Sequence, residues 1–263
     1  MKKRCFFLTY DAYGDWYSVN GLVRYLAKKY SYIYPVVDYS QSLKKYATLS
    51  FVESMFSDVK NIKVVKNSYF KLIIKIPLFN FVIIDSRYNE TNKIFTFLNV
   101  YNKNNPFKLI QNNNLNNSNL FYTSLGFDEN IKFKYFDIPK KFLKGRKKTI
   151  NTLICETYNQ QINRKYILNK DNLINLHNMF TNPLDIIPLA KQSDEIHLIE
   201  NSIALLIYYL NYKKLIKPRK VFLHLYAREN EPYRYLKKEV KLKFFNMFLQ
   251  PILPNWHIIY DQI

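Results

Sequence analysis

Glycine is scarce in this sequence, with only Gly14, Gly21, Gly126 and Gly145 among 263 residues. The dinucleotide fingerprint G-x-G-x-x-G and the phosphate-binding loop G-x-x-x-x-G-K-[ST] need closely spaced glycines, so both are excluded. The motifs H-E-x-x-H, D-x-D and G-x-S-x-G are also absent. The sequence therefore gives no support for a zinc protease, a metal-dependent GT-A transferase or an α/β-hydrolase.

Cysteine and long apolar runs are equally rare. Only Cys5 and Cys155 occur, which excludes a disulfide framework and a cysteine zinc site. The four histidines have no metal-ligand spacing, so no metal is expected. No apolar run approaches the roughly 20 residues that span a bilayer, and the N-terminal run is too short for a signal-peptide core. We therefore expect a cytoplasmic protein.

Positive charge is abundant: 40 Lys and Arg against 20 Asp and Glu give a formal net charge of +20. Such a surplus indicates an anionic partner, which could be nucleic acid, an acidic membrane or a phosphorylated substrate. Lys, Asn, Ile, Tyr and Phe are all plentiful, however, as an AT-rich genome would encode. We attribute most of the charge to this bias and predict that lysine is spread over the surface.

Apolar runs and helical periodicities alternate along the chain, which predicts βαβ units and parallel sheets. The predicted strands are 3–10, 32–39, 61–65, 149–157, 172–178, 195–200 and 219–227, with one or two more within 72–86. The predicted helices are 19–30, 42–58, 182–193, 202–214 and 231–250. An Asn-rich stretch, 102–119, and a basic stretch, 137–148, separate the two series. We therefore predict an α/β protein of two Rossmann-like domains, residues 1–135 and 136–263.

Ligands of such sheets bind at the carboxyl ends of the strands, and the first candidate segment is the predicted loop 11–18. Gly14 would permit a tight turn and a close approach to a ligand. Asp11 and Asp15 flank it, and a carboxylate here could act as a general base. The alternative is that Asp15 or Ser18 only caps the following helix.

The second candidate segment is EIHLIENS, residues 195–202, where a predicted strand meets a predicted helix. Helix N-termini bind phosphate well because they present free N–H groups and a partial positive charge. Asn201 and Ser202 are good N-cap residues, Glu200 could accept hydrogen bonds from ribose, and His197 could bond a sugar or phosphate. The alternative is ordinary capping, with His197 inside the strand.

Two arginines after other predicted strands are candidate phosphate ligands. Arg228 ends the segment HLYAR, and Arg164 lies in ETYNQQINRKY together with Lys165. Arginine suits diphosphate because its planar fork donates several hydrogen bonds. In the same segment, Glu156 and Asn163 could position a sugar. For Arg228 the alternative is a solvated side chain.

The order of these motifs resembles the C-terminal half of GT-B glycosyltransferases. A strand ending EIHLIE, the pair Asn201-Ser202, an apolar helix and a strand ending HLYAR are similar to the IH…SS and HxxAR patterns of small GT-B families. The segments FYTSLGF and YFDIP resemble the stretch before the second domain, and DAYGD resembles the first loop of heptosyltransferase-like enzymes. The resemblance covers roughly residues 120–230, and the N-terminal half in outline. The usual Ser-Ser pair is Asn201-Ser202 here.

That resemblance implies two Rossmann-like domains with a cleft between them, and transfer of a sugar from a nucleotide-sugar to an acceptor hydroxyl on a glycan. It implies no metal and no cofactor, because the nucleotide-sugar is a substrate. Asp15 would be the general base, with Asp11 and Gly14 at the acceptor. Donor contacts would come from Arg164, His197, Glu200, Asn201, Ser202 and Arg228.

The expected partners are therefore a nucleotide-sugar donor and a glycan acceptor, and contact with a membrane surface is compatible with them. Nucleic acid is not expected. Two alternatives stay open. A basic nucleic-acid-binding protein would explain the charge and the many aromatic residues, and a glycosyltransferase-like scaffold without catalysis would explain the motifs.

Overall fold

The computed structural model shows an α/β protein with two separate sheets. It describes residues 4–10, 12–37, 47–75, 81–86, 94–97, 122–123, 125–144, 149–157, 161–167, 171–177, 182–225 and 251–260. Contacts divide the chain into two compact units, Met1–Pro139 and Lys140–Ile263. Each unit holds one five-stranded sheet. The predicted α/β class is confirmed.

The first unit is built on a mostly parallel sheet with the strand order β3-β2-β1-β4-β5. Strand β1 pairs in parallel with β2 and β4, β2 pairs in parallel with β3, and β5 is antiparallel to β4. The strands are β1 Arg4–Leu8, β2 Tyr32–Val37, β3 Val65–Lys66, β4 Phe81–Asp85 and β5 Ile94–Phe97. The helices are α1 Tyr13–Lys29, α2 Leu49–Met55, α3 Asn67–Ile73 and α4 Ile131–Tyr135.

Helix α1 carries most of the packing in the first unit. Its fully buried residues include Trp16, Tyr17, Leu22 and Val23. Gly21 permits the close approach of α4, because a Cβ at this position would lie 2.5 Å from the Lys132 carbonyl oxygen. No ordinary Cβ contact is that short, so a larger residue would push the two helices apart.

One prediction for the first unit is wrong in detail. Helix α1 begins at Tyr13 rather than at residue 19, so Gly14 and Asp15 lie in its first turn and not in a loop. A carboxylate in a first turn is stabilised by the helix dipole, which favours this earlier start. The predicted strand within 72–86 is confirmed as Phe81–Asp85. The preceding segment Asn67–Ile73 is a helix, with Phe70 and Ile73 packed on the sheet at helical spacing.

The second unit contains a fully parallel sheet with the order β10-β9-β8-β6-β7. Its strands are β6 Ile150–Glu156, β7 Leu173–His177, β8 Ser193–Ile199, β9 Lys220–His224 and β10 Trp256–Ile259. Its helices are α5 Ile187–Gln192 and α6 Ser202–Tyr212, with 3₁₀ turns at Lys140–Leu143, Arg164–Tyr166 and Pro183–Ile186. Residues 204–210 of α6 are all buried, which explains its unbroken apolar sequence. The predicted parallel sheets are therefore confirmed.

Several predicted features lie outside the described residues. They are the Asn-rich stretch 102–119, the helix 231–250 and the two candidate site residues Asp11 and Arg228.

Candidate functional site

The strand order of the second unit defines where its sheet can hold a ligand. Numbered from β6, the order is 2-1-3-4-5, so the chain leaves β6 in one direction towards β7 and later passes to the other side as β8. In parallel sheets, ligands bind outside the carboxyl ends of the two strands where the order reverses. For this sheet those strands are β6, which ends at Glu156, and β8, which ends at Ile199.

Glu156 is a buried carboxylate at this position, 3% exposed. It accepts hydrogen bonds from the Ile162 amide at 2.8 Å, from Asn175 Nδ2 at 2.8 Å and from Arg164 Nη1 at 3.2 Å. Ile162 and Arg164 Nη1 donate to Oε2, whereas Asn175 and Arg164 Nη2 donate to Oε1. Burial acts to raise the pKa of Glu156, but these hydrogen bonds outweigh it and the pKa is lowered. Glu156 is therefore ionised at neutral pH.

Arg164 is anchored by that carboxylate while half of its side chain, 46%, stays exposed. It lies in the 3₁₀ turn Arg164–Tyr166, where the Asn163 side chain accepts a hydrogen bond from the Lys165 amide at 3.0 Å. Ile162 and Ile167 hold the segment on the sheet by packing with a shared apolar cluster. Glu156 engages two of the five guanidinium N–H donors. A pre-positioned arginine of this kind suits phosphate recognition.

His197 lies inside β8 rather than at its end. Its side chain is fully buried, and Nε2 lies 2.7 Å from Glu195 Oε1 while Nδ1 lies 2.9 Å from His224 Nε2. A carboxylate only accepts hydrogen bonds, so Nε2 of His197 carries the proton. Nδ1 then accepts from His224. The alternative in which His197 lies inside the strand is therefore correct, because residues 197 and 199 both remain in the ladder.

Burial keeps both histidines neutral. The pKa of His197 is lowered to about 4, mainly by burial and further by the positive charge of Arg164. The pKa of His224 is lowered to about 3 by burial and by His197, although Glu156 opposes the shift. The rings of Tyr166, His224, His197, Phe222 and His257 form a continuous aromatic row across the sheet, with neighbouring centroids 4.7–5.4 Å apart. The sequence analysis did not predict this row of rings. A sign of it was the i, i+2 spacing of Glu195 and His197, which places both side chains on the same face of the strand.

Asn201 caps the helix that follows β8. Its Oδ1 accepts from the Ile203 amide at 2.9 Å and from the Ala204 amide at 3.2 Å. The cap reading of this residue is therefore correct, and α6 begins at Ser202 as expected. The amides of Asn201 and Ser202 are not engaged by this side chain, and Glu200 lies half-buried just before them.

The first sheet has its own reversal point, between β1 and β4 in the order 3-2-1-4-5. Beyond these strands, the Ser86 amide and hydroxyl both donate to the Leu8 carbonyl, at 2.8 and 2.9 Å. Asp15 is half-buried in the first turn of α1, and the Gly14 carbonyl accepts from Ser18 Oγ at 2.9 Å. Gly14 therefore belongs to the first turn of α1 and does not form a tight turn between the strand and the helix.

Buried polar groups accompany this edge. Within the described part of the chain, the indole N–H of Trp16, the Tyr17 hydroxyl and the Thr9 hydroxyl have no hydrogen-bond partner. Trp16 and Tyr17 are fully buried in the first two turns of α1. No sequence pattern marked them, because aromatic residues at helical spacing are ordinary core residues.

Among the described residues, no group of three or more His, Cys, Asp or Glu could hold a metal ion. The described helices are all too short or too polar to cross a membrane. No protein-family model, curated protein or solved structure matches this chain.

Proposed function

We propose that the protein is a metal-independent glycosyltransferase of the GT-B type, which transfers a sugar from a nucleotide-sugar to an acceptor hydroxyl on a glycan. The observation that carries the proposal is Arg164, fixed by the buried Glu156 beside the strand-order reversal of the second sheet. The proposal includes the GT-B arrangement, in which donor and acceptor meet in a cleft between the two units.

The donor diphosphate would lie between Arg164 and the N-terminus of α6. A diphosphate needs compensation for its charge, and the guanidinium and the helix dipole both supply it. The amides of Asn201 and Ser202 are the donors at this helix end that Asn201 Oδ1 leaves available. Glu200 would accept from the ribose hydroxyls, and Arg228 would add a second cation.

His197 has a different role in this proposal from the one its position first indicated. Because the side chain is fully buried and already bonded on both nitrogens, it would support the donor site from within the sheet. It would fix the orientation of the His224 ring, which lies at the carboxyl end of β9. His197 is therefore proposed as a positioning residue.

The transfer step requires a base on the acceptor side, and we assign that role to Asp15. Its carboxylate would take the proton of the acceptor hydroxyl while the hydroxyl oxygen forms a bond to the anomeric carbon of the sugar. The bond from that carbon to the diphosphate breaks, and the nucleoside diphosphate leaves with the electron pair. Arg164 and the α6 N-terminus would stabilise the charge that develops on it. Asp11 is the substitute for Asp15, and Gly14 would contact the acceptor.

Product formation tests this function. The full chain is incubated with a panel of nucleotide-sugars and glycan acceptors, and sugar transfer and release of nucleoside diphosphate are both measured. Asp15→Asn should slow transfer by about 10²–10⁴-fold and leave donor binding unchanged. Transfer by Asp15→Asn at the parent rate would place the base elsewhere. Donor binding by the parent without any transfer would favour the scaffold alternative.

A further inference from the structure

A basic and aromatic surface of the first unit lies on α3 and the neighbouring part of the sheet. Among the described residues of this unit, three large apolar side chains are strongly exposed: Leu72 is 60% exposed, Tyr69 48% and Tyr32 41%. Tyr69 and Leu72 both belong to α3, and Tyr32 begins β2. We call this set, with the half-buried Tyr34 and the lysines of α3 and its flanks, the tyrosine–lysine surface.

These side chains form one surface because they share a sheet face. Phe6 packs with Tyr34 at a centroid distance of 5.0 Å and with Phe70 of α3 at 5.2 Å. Tyr34 in turn stacks on Tyr32 at 6.2 Å. Burial raises the pKa of Tyr34, Arg4 opposes this effect, and Tyr69 and Tyr32 add to it, so these groups lie near one another. Helix α3 thus covers only part of this face and leaves its rim exposed.

The charge around the surface has one sign. From Val59 to Ile84 the sequence contains five lysines, at positions 60, 63, 66, 71 and 75, and no Asp or Glu. All five are exposed. Acid-free basic stretches also occur at 138–155 and 201–228. In the described residues of those stretches no large apolar side chain is strongly exposed, whereas Tyr69 and Leu72 are exposed among the lysines of this run.

We propose that the tyrosine–lysine surface docks the protein on an anionic lipid bilayer. Lysines near such a bilayer are attracted to its headgroups, tyrosines favour the headgroup level, and an exposed leucine can enter the acyl boundary. The aliphatic Leu72 is the most exposed member, which favours lipid over nucleic acid, since single-stranded nucleic acid is held by stacking on aromatic rings. Tyr32 begins β2, so the docking surface reaches the amino ends of the first sheet.

Vesicle co-sedimentation of the full chain tests the proposal. We expect binding to vesicles of phosphatidylcholine mixed with phosphatidylglycerol, weaker binding as salt rises, and little binding to phosphatidylcholine alone. Lys71→Ala and Lys75→Ala should each weaken the binding about fivefold. Leu72→Ser should weaken it roughly three- to tenfold through loss of apolar burial. All three side chains are exposed, so the variants should fold like the parent.

A matched pair of lysines supplies the control. Lys140→Ala and Lys144→Ala remove the same charge from exposed positions at the start of the second unit, and should change vesicle binding little. Equal losses from both lysine pairs would overturn the proposal, because the attraction would then be that of net charge alone. So would unchanged binding of Leu72→Ser, or binding to a single-stranded oligonucleotide that Tyr69→Ser abolishes while vesicle binding persists.

Discussion

Buried polar groups near the carboxyl edges of the two sheets differ in their hydrogen bonding. In the second unit, Glu156 accepts four hydrogen bonds, two of them from Arg164. In the described part of the first unit, the Trp16 indole N–H and the Tyr17 hydroxyl are fully buried without a hydrogen-bond partner. Leaving a polar group in that state costs about 1–3 kcal/mol. The Glu156–Arg164 pair at the second edge is thus in place before a ligand arrives.

This difference matches the proposed division of labour. A donor diphosphate carries fixed charge, and a cation already held in place binds it without losing side-chain freedom. An acceptor hydroxyl is neutral, so the acceptor side of the proposed site needs no fixed cation. Substitutions at the two edges are therefore expected to change the free energy of unfolding in different ways.

The largest expected effect is that of Arg164→Ala on the free energy of unfolding at pH 7. This change leaves the buried Glu156 carboxylate without its cation. Breaking a buried pair costs about 3–5 kcal/mol, and because Arg164 is 46% exposed we expect about 2–4 kcal/mol after solvent screening. Urea denaturation measures it. Lys165→Ala removes the same charge from the same turn and should cost under about 0.5 kcal/mol.

Adding Glu156→Gln to Arg164→Ala should recover part of the lost stability, because the buried charge is then gone. If the double variant is as unstable as Arg164→Ala alone, the loss does not arise from the uncompensated carboxylate.

The next effect is a dependence of stability on pH. His197 and His224 are neutral in the folded protein, with pKa values of about 4 and about 3, but in the unfolded chain they take up protons near pH 6.5. Between these values the unfolded state binds more protons, so stability must fall as the pH falls. From pH 7 to 5.5 we expect a loss of about 1 kcal/mol for each histidine, measured by urea denaturation at each pH.

The residue Glu195, which bonds to His197, bears on the same experiment. Its pKa is raised, chiefly by burial, with Lys220 and His257 opposing, so its protonation favours the folded state and would offset the histidine effect at lower pH. For that reason the measurement stops at pH 5.5. His197→Asn should flatten the slope. An unchanged slope in His197→Asn would show that the histidine is not buried as described.

A smaller effect is expected from the helix cap at the second edge. Asn201→Ala removes the acceptor of two first-turn amides, and such a change costs about 1 kcal/mol. Asn201→Asp keeps the acceptor and should retain the stability in urea. Equal stability of the alanine and asparagine forms would contradict the cap.

The smallest expected effect belongs to the first edge. Tyr17→Phe removes a buried hydroxyl that has no partner in the described part of the chain, so the free energy of unfolding should change by less than about 0.5 kcal/mol or rise. A bonded buried hydroxyl would instead cost about 1 kcal/mol on removal. Urea denaturation distinguishes these outcomes. A loss of stability of about 1 kcal/mol would mean that the Tyr17 hydroxyl is hydrogen-bonded, and the two edges would then not differ in this respect.

More of the fold than of the candidate sites could be predicted from the sequence. Alternating apolar runs and helical spacing predicted both parallel sheets, because burial of these patterns is local information. The start of α1 and the helix Asn67–Ile73 were missed, since aromatic residues such as Tyr13 and Phe70 fit strands and helices alike. Strand ends predicted the cap at Asn201.

The site contacts that were missed depend on pairing between distant strands. Glu156 and Asn175 are joined only because β6 and β7 are neighbours, and His197 meets His224 only through the pairing of β8 and β9. No local pattern contains that information, which arises when the strand order forms. The sequence analysis attributed most of the positive charge to coding bias, so the acid-free run 59–84 did not stand out from the total net charge.

The most direct test of the central claim is a calorimetric titration of nucleoside diphosphates and nucleotide-sugars into the parent chain, Arg164→Lys and Lys165→Ala. Arg164→Lys keeps the charge beside Glu156 but loses the planar fork. The account predicts that the parent binds, that Arg164→Lys weakens binding by about 1.5–3 kcal/mol, and that Lys165→Ala binds like the parent. Equal affinity of Arg164→Lys and the parent, or no binding of any nucleotide by the parent, would contradict it.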